Sequence, residues 1–387
     1  MLWARRLWVV LAVLSISSSF SFSSSKPRRR LGRATTKTSA SVEDLVATCV
    51  EAPPPNGRSI DEFLDLLDPV AVDDGLKRVV LSLFSACSQI AVEVSQASCD
   101  STSCYYPTPE GEEVAIDLVA EQTLMAALRA SGCVEVAATS EQPIEEPLGG
   151  KGYSVAAAPL SGDSIIDSNF AVGTSVGIWP GGTALADRYK GGVTGRDLCG
   201  SLMAVYSSRT TISLALDGVR DVHEFRLVPE SSGSGGSSGG LAWSHSTTFS
   251  RIDADARLVA PRNARAASAH PGYRRLLGEW LERGAALRYS GGFVPDTNQI
   301  VAKGTGCWAC TPKLVSALFC ALPAAFIIEK AGGASSTGDG RSVLDHRVFT
   351  PSEKLQLALG SANDVKLFDE YVGPIVDEKE EGWENGS

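Results

Sequence analysis

Leu314 to Ala331 reads LVSALFCALPAAFIIEKA, and its only charged residues, Glu329 and Lys330, stand at the far end. A helix that is apolar all round has no face to offer water, so this one is predicted to be buried. Gly332-Gly333 ends it, because glycine takes the left-handed conformation that closes a helix. The chain before it holds the layers that could cover it. Asp73 to Ala97 sets Leu76, Val79, Val80, Leu83, Cys87, Ile90, Ala91 and Val94 on one helical stripe. Glu113 to Ala130 is predicted as a second helix, stopped by Gly132. Ser154–Ala158, Ser175–Trp179, Thr210–Leu216 and Glu224–Leu227 read as strands, and Gly272 to Arg283 as a further helix carrying Trp280. Ser59, with Glu62 three residues on, forms a capping box at the start of a short helix. Helices and strands alternate, so the fold class is layered α/β.

The chain of 387 residues can hold two domains, or one large domain with two subdomains. Residues 1–40 differ from the rest. Arg5 and Arg6 precede an apolar run from Leu7 to Ser17, the layout of a signal peptide. Ser18 to Ala40 is hydroxyl-rich and basic, without an acidic residue, as organellar transit peptides are. With Phe20 or Phe22 at the junction, the pair resembles the bipartite leaders of algae with complex plastids, and implies a plastid address; the alternative is plain secretion. Removing it takes eight of 35 basic residues and leaves 27 against 45 acidic ones, a net charge near −18. So acidic a body argues against nucleic acid or an anionic membrane as a partner.

Glu51 to Arg58 is a Pro-rich linker, Ser231 to Gly240 (SSGSGGSSGG) a low-complexity loop expected between two strands, and the tail from Asp377 acidic. Gly149 to Gly152 lacks the spacing of a phosphate loop and reads as a turn. His223, His245, His270 and His346 are scattered along the chain and suggest no metal cluster or triad. Cys307-x-x-Cys310 lacks the second pair a structural zinc site needs and reads as core or loop cysteines.

Three further stretches, DSIIDSNFAVGTSVGIWP (Asp163–Pro180), RYSGGFVPDTNQI (Arg288–Ile300) and IEKAGGASSTGDGRSVLD (Ile328–Asp345), resemble the class I fructose-1,6-bisphosphatases and the plastid sedoheptulose-1,7-bisphosphatases. The resemblance runs from about Ser59 to Tyr371. It implies a five-layered αβαβα sandwich, with an N-terminal domain at 59–229, the loop at 230–240, a C-terminal domain at 241–376 and the tail at 377–387. It also implies hydrolysis of a ketose bisphosphate with Mg²⁺, and a homo-oligomer, dimer or tetramer. Hard cations take oxygen ligands, so such a site needs clustered carboxylates.

The family's DPLDGS metal motif stands here as Ala158-Pro159-Leu160-Ser161-Gly162-Asp163. Its two ligand aspartates are Ala158 and Ser161. Leu160 keeps the ligand backbone carbonyl, and Gly162 the phosphate-facing backbone. Asp163 replaces a serine that meets phosphate, and as an anion should repel substrate. The family's SEE pair is Ser140-Glu141-Gln142: Glu141 remains a catalytic metal ligand, whereas Gln142 is neutral. Cys320, three residues before Pro323, takes the place of a ligand glutamate and suits Mg²⁺ poorly. Asp117 matches the general base, and Glu112 stands near another acidic ligand position. Asp163, Asp167 and Glu145 could bind a displaced ion. Substrate contacts implied by the resemblance are Asn263, Arg288 and Tyr289, with Arg288 reaching a neighbouring subunit's phosphate; Lys313 lies one residue out of register. Cys99 and Cys104 match a cysteine pair reduced by thioredoxin, which makes thioredoxin an expected partner; the alternative is two free, buried cysteines. Hydrolysis by the family mechanism is therefore expected to be impaired or lost, leaving sugar-phosphate binding. The alternative is an active bisphosphatase with a rearranged metal site.

Overall fold

The computed structural model describes residues 56–100, 103–107, 113–181, 185, 192–230 and 240–375. The leader, Glu112, most of the Gly/Ser-rich loop and the acidic tail lie outside these residues. Seven α-helices are described: α1 (Ile60–Asp65), α2 (Asp74–Gln96), α3 (Ile116–Ser131), α4 (Pro271–Glu282), α5 (Phe293–Lys303), α6 (Leu322–Lys330) and α7 (Ala362–Tyr371). Asp73 caps α2 by accepting from the Leu76 N–H at 2.8 Å, and Ser59 and Glu62 close the capping box of α1. Gly132 takes φ 66° at the end of α3.

Two sheets carry the fold. The large one runs, in spatial order, Leu241–Phe249, Val222–Pro229, Thr211–Leu216, Gly200–Tyr206, Val172–Pro180, Tyr153–Ser161, Val134–Thr139 and Glu146–Pro147. The smaller one runs Ala286–Leu287, Leu258–Arg262, Cys307–Ser316, Lys354–Gly360 and Ala334–Ser336. Strand periodicity divides the side chains among three cores. On Tyr153–Ser161, Tyr153, Val155 and Ala157 pack with α2 and α3, while Ala156 and Ala158 face the other way, toward α5 and α6. On Cys307–Ser316, Trp308 and Cys310 join that middle core, and Cys307 and Ala309 turn to α4 and α7. The order of layers is therefore α2/α3, large sheet, α5/α6, small sheet, α4/α7. The αβαβα sandwich is what these alternations build. The apolar stripe of α2 is spent inside it: Leu76, Val79, Val80, Leu83, Cys87 and Ile90 are all buried.

The all-apolar stretch lies in the middle layer, as its composition requires, but it does not begin as a helix. Leu314, Val315 and Ser316 end the strand Cys307–Ser316, a π-helical turn spans Ala317–Ala321, and α6 starts only at Leu322. Pro323 has no N–H to give a preceding carbonyl, and the widened turn lies just before it. The Ser316 hydroxyl accepts from the Phe319 N–H at 3.5 Å and marks the corner. Likewise Glu113–Ala115, read as the start of α3, is a strand pairing with Cys104–Pro107.

Candidate functional site

A cleft of about 420 Å³ opens where the end of Tyr153–Ser161 on the large sheet meets the strand ends of the small sheet. In α/β folds, ligand crevices collect at such strand ends. From the large sheet it is lined by Ser140, Ala158, Leu160, Ser161, Gly162 and Asp163. Across from them stand Cys320, Arg262, Ser316 and Lys354. The predicted motif positions therefore converge, although they are far apart in sequence.

Local backbone explains how. The pairing with Val172–Pro180 slips between Ala158 and Ser161, and a bulge of this kind re-aims side chains. The Pro159 carbonyl is held by the buried Thr174 hydroxyl at 2.6 Å, which also meets the Tyr206 hydroxyl at 2.6 Å. Gly162 takes φ 99°, a left-handed conformation costly for a residue with a side chain. It turns the chain into the short 3-10 helix Asp163–Ile165. The π-helical turn brings Cys320 to the opposite side. Burial pushes its thiol up to about 12, against the pull of the nearby Arg262 guanidinium. Such a thiol stays protonated and is a poor ligand for a hard cation.

Glu141 and Gln142 lie on the exposed turn after Val134–Thr139, beside the cleft. Glu141 accepts from the Ser140 hydroxyl at 3.1 Å, and its carboxyl is held above the usual glutamate range. Desolvation is the main cause, with the negative charges of Asp117, Asp163 and Glu121 adding to it. Asp117 sits in the first turn of α3, where its carboxylate accepts from the Leu118 N–H at 2.9 Å. Glu121, one turn further along α3, is buried and accepts from the Thr139 hydroxyl. Sequence reasoning missed Glu121; its place four residues after Asp117 was the available signal.

Asn263 adopts φ 57° and ends the strand Leu258–Arg262, its side-chain amide donating to the Thr311 carbonyl at 3.1 Å. Arg288 and Tyr289 are exposed and follow the edge strand Ala286–Leu287. Asn263, Arg288 and Tyr289 do not line the cleft; Arg262, next to Asn263, does. Glu112 lies outside the described residues. Mg²⁺ prefers several oxygen donors. Positions 158, 161 and 320 offer a methyl group, a hydroxyl and a half-buried thiol. Among the described residues, no group of three or more His, Cys, Asp or Glu is placed to hold a metal ion. The residues present do not fit a carboxylate-bridged metal centre.

The two cysteine motifs part company. Cys99 and Cys104 face each other across paired antiparallel strands, Cα atoms 4.0 Å apart, and form a disulfide. Cys307 and Cys310 are both buried on one strand and fall into different cores. An odd separation along a strand sends side chains to opposite faces, so they do not act as a pair. Two of the four scattered histidines do meet: His223 Nδ1 lies 3.3 Å from His245 Nε2, both packed on Phe63. Two imidazoles buried in an aromatic cluster make a core contact.

The Fructose-1-6-bisphosphatase N-terminal domain matches residues 68–233, and the C-terminal domain of the same family matches 252–373. The chain is 36% identical over 368 residues to the chloroplastic sedoheptulose-1,7-bisphosphatase of Spinacia oleracea, covering 92% of this chain and 89% of that protein. It is also 36% identical over 323 residues to the Chlamydomonas reinhardtii protein of the same description, covering 82% and 77%. Among solved structures, a Toxoplasma gondii protein provisionally assigned as a sedoheptulose-1,7 bisphosphatase superposes with a TM-score of 0.68 at 27% identity, over 81% of this chain and 98% of that one. Leishmania major fructose-1,6-bisphosphatase in holo form superposes with a TM-score of 0.69 at 19% identity, covering 82% and 99%, a likeness of fold alone. Layer order, cleft position and these matches agree, and the chain belongs to the fructose-1,6-bisphosphatase family.

Proposed function

We propose that this chain is a plastid member of the family that binds a sugar bisphosphate and has lost metal-dependent hydrolysis. One observation carries the reading. Ala158, Ser161 and Cys320 meet on a single cleft, and none of them is an anion able to neutralise a divalent cation. Disturbing even outer-shell partners of a metal typically costs about 10–100-fold in affinity or activity, so losing several direct ligands should cost more. The plastid address rests on the composition of residues 1–40 and on the chloroplastic description of the Spinacia and Chlamydomonas relatives. The exposed Arg288 suits contact with a neighbouring subunit's ligand. A redox role for the Cys99–Cys104 disulfide is supported by the exposure of Cys99, since exposed disulfides are the ones that exchange readily.

The rival reading is a working enzyme with a displaced metal. It rests on the mutual influence of Glu141, Asp117, Asp163 and Glu121. Phosphate release by the full-length chain decides between them, with sedoheptulose-1,7-bisphosphate and fructose-1,6-bisphosphate each offered with millimolar Mg²⁺ or Mn²⁺. The expected result is no release, with binding still seen by calorimetry. Turnover within the usual enzymatic range of about 1–10³ s⁻¹ would overturn the proposal.

A further inference from the structure

We infer that Arg262 and Lys354 replace the missing metal charge, making the cleft a metal-independent site for a phosphate monoester dianion. The inference rests on the reading above and goes one step beyond it, to how the bound group is held.

Arg262 is the last residue of the strand Leu258–Arg262 and sits half-buried in the cleft. Its backbone is fixed on both sides. Its carbonyl accepts from the buried Tyr273 hydroxyl at 2.7 Å, and its Cα lies in parallel register with Cys310. The guanidinium therefore projects from a rigid strand end and not from a loop. Its field reaches Cys320 as well as Cys310, Tyr289 and Asp296. It thus lies close to the position where the family resemblance puts a ligand glutamate. A glutamate there would have drawn Arg262 into an ion pair; a neutral thiol leaves the guanidinium available. Among the described residues no carboxylate lies within ion-pair distance of Arg262.

Lys354 opens the strand Lys354–Gly360 directly opposite Ser316, itself a lining residue, and likewise has no ion pair among the described residues. The charged residues lining the cleft are thus two cations and one anion, Asp163. A carboxylate-rich metal site has the reverse balance and cannot hold a phosphate until cations arrive. Here the protein itself supplies the positive charge. Arginine presents a planar fork of donors matched to phosphate oxygens, and lysine adds a point charge on a flexible stem. The lining also includes Ser161 and Ser316, whose hydroxyls can donate to a bound oxyanion. Sugar phosphates and inorganic phosphate share this chemistry, so both are tested.

The experiment is calorimetric titration of the full-length chain with inorganic phosphate and, separately, sedoheptulose-1,7-bisphosphate, in EDTA and in millimolar Mg²⁺. Binding in EDTA is expected, with affinity changed less than about twofold by Mg²⁺. Arg262→Gln should weaken it about ten- to a hundredfold, Lys354→Gln less, and Arg262→Lys should restore part of the loss. Tighter binding of the bisphosphate than of phosphate would identify the ester as the occupant; equal affinity would identify the phosphate group alone. Either result supports the charge replacement. Binding that appears only with Mg²⁺ overturns this inference and leaves the sugar-phosphate-binding reading standing. Unchanged affinity in a folded Arg262→Gln overturns it as well. No binding under either condition sinks both.

Discussion

The large sheet puts one charged group into the cleft lining, Asp163, with Glu141, Asp117 and Glu121 close enough behind it to influence one another; the small sheet puts Arg262 and Lys354 there. The first group keeps the sign suited to a metal-binding site but not the number. The second has the sign of an anion-binding site. In a metal-dependent phosphatase the cations stand between protein anions and substrate anions, so removing them leaves anion facing anion. Where ligands are lost, the site needs another source of positive charge or it stops binding phosphate. The two sides of this cleft teach that the proposed loss of carboxylates would change what the remaining charges do to one another.

Restoring the carboxylates is the strongest attack on this division. Ala158→Asp, Ser161→Asp, Gln142→Glu and Cys320→Glu together should raise Mn²⁺ affinity at least about a hundredfold, read by calorimetry. The structure adds a condition. A carboxylate at position 320 would sit beside Arg262 and pair with it, withholding one ligand from the metal. Adding Arg262→Ala to the four reversions should therefore increase the gain and allow phosphate release. If the four reversions alone bind metal as tightly as the five, Arg262 does not compete for that position.

A milder change leaves both sides intact except for one anion. Asp163 is the lone carboxylate lining the cleft. Asp163→Asn should strengthen phosphate binding at least about fivefold, the scale of one unit charge about 4 Å away with the full screening of bulk water. Glu141 adds a pH dependence. Its pKa is raised, so it is neutral at pH values where an ordinary glutamate is ionised. As pH rises through that elevated value the carboxylate charges, and phosphate binding should weaken. Its contribution to stability has the same sign: present at low pH and lost as pH rises through the raised pKa. Glu141→Gln should flatten that part of the pH profile while the phosphate ligand's own titration remains. A profile identical to the parent would separate Glu141 from the site.

The sequence carried the layers well and the charges poorly. Burial of the all-apolar stretch followed from its composition, since no other environment accepts eighteen residues with a charge only at the end. Its start at Leu314 was not legible, because Leu, Val and Ser fit a buried strand end as well as a buried helix. The same ambiguity put Glu113–Ala115 into α3 instead of a strand. Convergence of Ala158, Ser161 and Cys320 came from the resemblance, since nothing in local spacing joins residues 160 positions apart. Within Ala260-Pro261-Arg262-Asn263 the family resemblance points to Asn263 and not to Arg262. Only the tertiary arrangement puts its side chain in the cleft while the Asn263 amide turns to Thr311. His223 and His245 look scattered in the sequence for the same reason: two paired antiparallel strands bring together residues 22 positions apart.

The smallest expected effect tests whether the two sides respond separately. The Cys99–Cys104 disulfide ties two strands of the small meander that continues into Glu113–Ala115 and then into α3, which carries Asp117. Along that path the meander packs against α2 and α3. Reduction should loosen the acidic side and leave Arg262 and Lys354 where they are. So short a loop limits the stabilisation from cross-linking to about 2 kcal/mol on the chain-entropy account. The expected outcome is a modest fall in the urea midpoint on reduction, matched by a double Cys→Ser variant, with phosphate affinity changed less than about twofold. A large loss of phosphate binding on reduction would mean that the acidic side positions the bound group after all. The charge balance across the cleft would then be a single coupled device and not two independent halves.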